Sequence, residues 1–166
     1  EDNVFRFPSI PAPTNPDYTL AVPFSLRLSK IIHNLNLDII HVHSPFLLGR
    51  LGAWYAKKLE IPLIFTFHTL YEEYVHYVPF AHDFTKDLTQ RFCSEFCNQC
   101  DLVVTPTTII KEHIKANGVK TRVINIPTGI KVDEFATGND KWLREKFQIN
   151  PNKKILLFVG RLGKEK

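Results

Sequence analysis

Short apolar runs alternate with longer segments of helical period along this chain, and the alternation predicts its architecture. Val4–Phe7 reads as the end of a strand, and Pro8 to Pro23, with five prolines, as an irregular or extended connection. From Pro23 to Leu35, Leu28, Ile31, Ile32 and Leu35 fall on one helical face, with Arg27, Lys30 and Asn34 off it. Asp38–His43 predicts a buried strand that runs into a helix starting at Ser44-Pro45 and reaching about Leu59. The unit then recurs: strand Ile61–Phe67 with helix Asp83–Cys100, and strand Leu102–Thr105 with helix Thr107–Ala116, halted by Asn117-Gly118. Strand Arg122–Ile126, a short helix Asp140–Phe147 and a last strand Lys154–Val159 ending in Gly160 complete the pattern. Apolar strands of four to seven residues alternating with helices indicate an α/β fold, a Rossmann-like doubly wound parallel sheet.

Composition adds limits. The chain has 166 residues, 44% hydrophobic and 23% charged, and holds no apolar run near the roughly 20 residues of a spanning helix. It starts Glu1-Asp2-Asn3-Val4, with no basic and apolar leader, and contains no methionine, so it is read as a fragment or processed form. The net charge of +4 is uneven: zero over 1–37, −3 over 38–110 and +7 over 111–166. The basic last third has neither an arginine-rich run nor interleaved aromatics, which points to a solvated surface and away from nucleic acid.

Cys93, Cys97 and Cys100 are spaced as in the iron–sulfur loop of radical enzymes. They lie at i, i+4 and i+7 beside the stripe Phe84, Leu88, Phe92 and Phe96, and three ligands strung along one helix cannot converge on a cluster. Buried, unpaired thiols are the better reading, and a reducing cytoplasm suits them. Ligands of such sheets bind beyond the carboxyl ends of the strands. The candidates there are His43-Ser44, His68-Thr69, Thr105-Pro106-Thr107, Pro127-Thr128-Gly129 and Gly160-Arg161; no GxGxxG or GxxxxGK loop stands at any of them. His41 and His43 are expected to point to opposite faces of their strand, His43 into the cleft and His41 into the core. No histidine spacing suggests a metal site.

Five segments in register carry a resemblance: DIIHVHSPF at Asp38–Phe46, IPLIFTFHTLYEEYVHY at Ile61–Tyr77, DLVVTPT at Asp101–Thr107, VINIPTGIKVDEF at Val123–Phe135 and ILLFVGRLGKEK at Ile155–Lys166. Together they resemble the acceptor side of the retaining GT-B glycosyltransferases called group 1 or family 4. The resemblance implies that residues 1–150 form an acceptor-side domain lacking its first strands, and that 151–166 begin a donor-binding domain. It also implies that the chain by itself is inert.

The expected chemistry follows. A nucleotide-sugar transferase must stabilise charge on a departing diphosphate, and Gly160, Arg161 and Lys166 match the family's G-R-x4-K donor-binding motif. His68 sits where the family places a histidine contacting the donor sugar, and is the catalytic candidate; a neutral imidazole can bond a sugar hydroxyl without importing full charge. His43, Glu72, Tyr74 and His76 are the acceptor-binding candidates. The resemblance implies no bound cofactor and no metal, a nucleotide sugar such as a UDP-sugar as co-substrate, and no dedicated general base. The run from His68 to Tyr77 resembles the branch that glucosylates diacylglycerol, which implies a lipid acceptor and peripheral attachment to the cytoplasmic membrane face. The helix Pro23–Leu35 could aid attachment, although packing of its apolar face on the sheet is the simpler reading. A relative acting on a small soluble sugar or polyol, and a non-catalytic binding module of the same fold, are the alternatives.

Overall fold

In a computed structural model of the chain, residues 4–12, 15–73, 82–136, 138–139 and 141–160 are described. They divide into two compact units, Glu1–Pro127 and Thr128–Lys166.

The first unit is built on four parallel strands in the order β3-β4-β5-β6: Ile40–Val42, Leu63–Thr66, Leu102–Thr105 and Val123–Asn125. The crossovers are α2 (Leu47–Leu59), α3 (His82–Cys97) and α4 (Thr108–Ala116). Successive strands are neighbours in space, so the sheet grows in one direction, and right-handed crossovers then place their helices on one face. The core agrees. Val42 pairs with Phe65, Phe65 with Val103 and Val103 with Val123, a row buried with Ala56 of α2, Cys93, Phe96 and Cys97 of α3 and Ile114 of α4. This is the expected Rossmann-like α/β sheet, seen as one flank of the doubly wound arrangement.

Local sequence explains the helix limits. Ser25 caps α1 (Leu26–Asn34), its hydroxyl accepting from the Leu28 amide at 3.3 Å. Leu28 is buried, Ile31 and Ile32 are half-buried and Leu35 is exposed. Thr107 caps α4 in the same way through the Ile110 amide, and Asn117-Gly118 ends it, Gly118 in the left-handed region at φ 93°. Helix α2 lies very close to β3. A Cβ on Gly49 would sit on the Ser44 carbonyl oxygen, and one on Gly52 would meet Val42 Cγ1 at 2.6 Å. Cys93, Cys97 and Cys100 are free and buried, and burial raises each thiol to about 12.

Three expectations are corrected. The proline-rich connection contains an antiparallel ribbon of β1 (Ser9–Ala12) and β2 (Asn15–Ala21); a two-stranded ribbon leaves one edge of each strand unpaired, where proline is tolerated. Val4–Phe7 is not a strand; it lines a cavity of about 530 Å³ with Ser25, Arg27 and Leu28. In the second unit, residues 154–159 form no strand, and Leu156 is fully exposed. Strand geometry needs a hydrogen-bonding neighbour, and no strand is present among that unit's described residues. That unit holds α6 (Trp142–Phe147), as expected, and α5 (Val132–Ala136), which was not. The signal for α5 was available: Asp133 and Glu134 stand in its first turn, and Glu134 pairs with Lys131 at 3.1 Å.

Candidate active site at the carboxyl ends of the strands

Parallel pairing brings His43, Thr66 to His68, Thr105 and Ile126 to one edge of the sheet. Alternation sorts them by face. Phe65 and Phe67 point into the helix-packed core, which leaves Thr66 and His68 on the opposite side with His41 and His43. There His43 Nδ1 and His68 Nε2 lie 2.9 Å apart, their rings stacked at 22°. Both residues are exposed.

His41 joins this group, contrary to the expectation that it faces away from His43 into the core. Residues two apart on a strand share a face, and the two rings stand 4.3 Å apart between centroids. The residue is exposed at its outer side, and its Nε2 bonds Thr66 Oγ1 at 2.7 Å. Partial desolvation, then the charges that His43 and His68 can carry, lower its pKa below the usual 6.5.

The segment after His68 turns back toward the core. Phe67 and Tyr71 pack edge to face at 5.8 Å, and Glu72 in the following short turn is only 3% exposed. Its carboxylate lies 2.6 Å from His113 Nε2 on α4, with the Asn117 carboxamide 3.1 Å from the same nitrogen. Glu72, expected among acceptor contacts, is buried and ties its turn to α4. Its partner His113 was not singled out in the sequence, because a contact spanning 41 residues leaves no local signal. Burial also holds the Tyr71 phenol up at about 12.

A separate apolar cleft of about 830 Å³ opens beside Ser44, lined in part by Leu20, Phe46, Leu47, Leu48, Leu51 and Phe92. Phe46 stacks on Phe92 at 5.4 Å, and the Arg50 guanidinium lies 5.1 Å above the Phe92 ring.

Of the remaining candidates, Gly160 belongs to the second unit, where an added Cβ would meet only the Phe158 ring, at 3.0 Å. Tyr74, His76, Arg161 and Lys166 lie outside the described residues. Among the described residues no group of three histidine, cysteine or acidic side chains could hold a metal ion. No helix of the described residues is long and apolar enough to cross a membrane.

Known proteins are similar to this chain in sequence. The chain is 34% identical over 168 residues to an alpha-monoglucosyldiacylglycerol synthase of Streptococcus pneumoniae, covering 98% of the chain and 38% of that protein. It is 30% identical over 181 residues to the enzyme of the same name from Acholeplasma laidlawii, covering 100% of the chain and 44% of that protein. A GDP-mannose-dependent alpha-mannosyltransferase of Corynebacterium glutamicum is 26% identical, over 98% of the chain and 39% of its own length. The chain thus spans about two fifths of the length of these relatives. Residues 1–134 match the sequence pattern of Glycosyltransferase Family 4, and the chain belongs to that family.

Proposed function

We propose that the protein is a retaining, nucleotide-sugar-dependent hexosyltransferase whose acceptor is a diacylglycerol-type lipid, with residues 1–150 on the acceptor side and 151–166 opening the donor-binding domain. The observation that carries this reading is the pair of relatives, at 34% and 30% identity across nearly the whole chain, whose shared name describes diacylglycerol bearing one glucose. The name of the mannosyltransferase relative supports a nucleotide sugar as donor. The apolar cleft beside Ser44 suits an acyl chain, with Arg50 at its border for an anionic or hydroxylated headgroup.

In this reading the barrier is lowered chiefly by fixed positive charge on the departing diphosphate. Arg161 and Lys166 supply that charge, and Gly160 lets the backbone approach. His68 bonds a hydroxyl of the donor sugar, and His43 beside it faces the acceptor. Glu72 holds its turn against α4 through His113, and Tyr74 and His76 are the further acceptor-binding candidates. The leaving phosphate takes the acceptor proton, so no side chain need act as base. The protein works at the cytoplasmic face of a membrane as a peripheral enzyme.

Two measurements on the full-length protein test the acceptor. Liposome flotation should recover the protein with vesicles, and labelled sugar should pass to diacylglycerol in mixed micelles. Transfer to a soluble polyol with no lipid product would replace the lipid reading by that of a soluble-acceptor relative.

A further inference from the structure

The contact between His43 Nδ1 and His68 Nε2, at 2.9 Å, constrains both rings. A hydrogen bond between two imidazole nitrogens needs one N–H and one lone pair, and a neutral imidazole carries its hydrogen on one nitrogen only. If His43 donates from Nδ1, its Nε2 is left as an acceptor. His68 then accepts at Nε2 and must carry its own hydrogen on Nδ1, where it donates. If His68 donates from Nε2 instead, both outward atoms invert. In either state of the neutral pair one outward nitrogen donates and the other accepts.

The surroundings hold this arrangement in place. Strand register puts both residues on the face opposite the core, at the ends of adjacent strands. The His41 ring packs against His43 with centroids 4.3 Å apart and is itself tied to Thr66 Oγ1 at 2.7 Å. His41 is thus the third titratable group facing the pair. His43 and His68 are both exposed.

We infer that His43 is a positioning residue for His68: the two share one hydrogen, and His43 sets which tautomer His68 presents to the sugar. The pair then recognises two hydroxyls at once, one giving and one taking a hydrogen bond. That matches a donor-sugar hydroxyl held beside an acceptor hydroxyl. The inference rests on the transferase reading above and refines it.

Full-length enzyme with ¹⁵N-labelled histidine rings, at about pH 8 where ordinary histidines are neutral, reads the pairing directly. The two facing nitrogens should give one hydrogen-bearing and one lone-pair shift, and the outward Nε2 of His43 and Nδ1 of His68 likewise. His43→Phe should move the His68 shifts. His43→Asn, whose carboxamide reaches the place of Nδ1, should leave them near the wild-type values. In turnover, His43→Phe should lower kcat about tenfold with KM for the nucleotide sugar changed less than about twofold, and His43→Asn, which keeps the bond to His68 but lacks the outward Nε2, should recover kcat while KM for the acceptor stays raised. His68 shifts indifferent to His43→Phe, or hydrogens on both outward nitrogens, would overturn the pairing. Shifts that respond while kcat does not would overturn the positioning role. The shifts need no turnover, so an inactive wild-type enzyme would count against the transferase reading, and the pairing would still be decided by the shifts.

Discussion

Single residues set two of the measurable properties of this chain. His41 binds a proton less readily when folded than when unfolded, because desolvation and its histidine neighbours lower its pKa below 6.5. Between the two values the unfolded chain holds a proton that the folded one does not, so this group's contribution favours folding fully above about 6.5 and declines as pH falls. Melting temperature followed from pH 7.5 to 5 should drop, and His41→Gln, which can still reach Thr66, should flatten the decline; an unchanged slope would mean that other groups govern it. Glu72 is a different case. Its carboxyl group is 97% removed from solvent and lies 2.6 Å from His113 Nε2, so His113→Ala leaves a buried polar group without that hydrogen-bond partner. A loss of about 1–3 kcal/mol by denaturant unfolding is expected, the cost of leaving a buried hydrogen-bonding group unsatisfied. The sequence marked His43, His68 and Glu72 as worth attention, but their partners lie 25 and 41 residues away and depend on which elements become neighbours. The shared face of His41 and His43 was within reach of the two-residue strand period, and splitting them conflicts with that period.

At the scale of elements, apolar runs bounded by Pro, Gly, Ser and Thr were informative because they report local physics. Thr107 and Gly118 bound α4 where the sequence suggests, Ser25 caps α1 two residues after the expected start at Pro23, and the four strands of the sheet fall inside the expected runs. The run at 154–159 reads equally well as a strand yet is none, since pairing is supplied by a neighbour and not by the run. The β1–β2 ribbon was hidden by prolines that forbid a central strand but not an edge. The closeness of α2 to the turn after β3 gives a sharp test: Gly49→Ala places a methyl on the Ser44 carbonyl, backbone that cannot swing aside, and should cost about 1–3 kcal/mol. A wild-type melting curve for that variant would mean that α2 and the Ser44 carbonyl are further apart. Helix α3 and its exit turn offer another: with thiols near 12 and buried, Cys93, Cys97 and Cys100 should resist a thiol reagent at neutral pH until the protein unfolds. Rapid labelling of the native protein would contradict this packing.

For the whole molecule, the carboxyl edge of the sheet carries His43 and His68, and Gly160, Arg161 and Lys166, which resemble the family's G-R-x4-K motif, are the proposed contacts of the donor diphosphate. Family membership was legible because five motifs stand in order along nearly the whole chain; the acceptor proposed from the sequence alone rests on a short aromatic and acidic run. If Arg161 stabilises the leaving diphosphate more in the transition state than in the ground state, Arg161→Ala in the full-length enzyme should lower kcat about 100-fold. A raised KM with unchanged kcat would instead mark simple donor binding. The most direct measurement is the product itself. Full-length protein, supplied with nucleotide-activated glucose and diacylglycerol in micelles, should yield diacylglycerol carrying one glucose in the donor's anomeric configuration by NMR, and His68→Ala should abolish most of that yield. No transfer from any uridine or guanosine nucleotide sugar to lipid or soluble acceptor, under conditions where the protein is folded, would contradict the account.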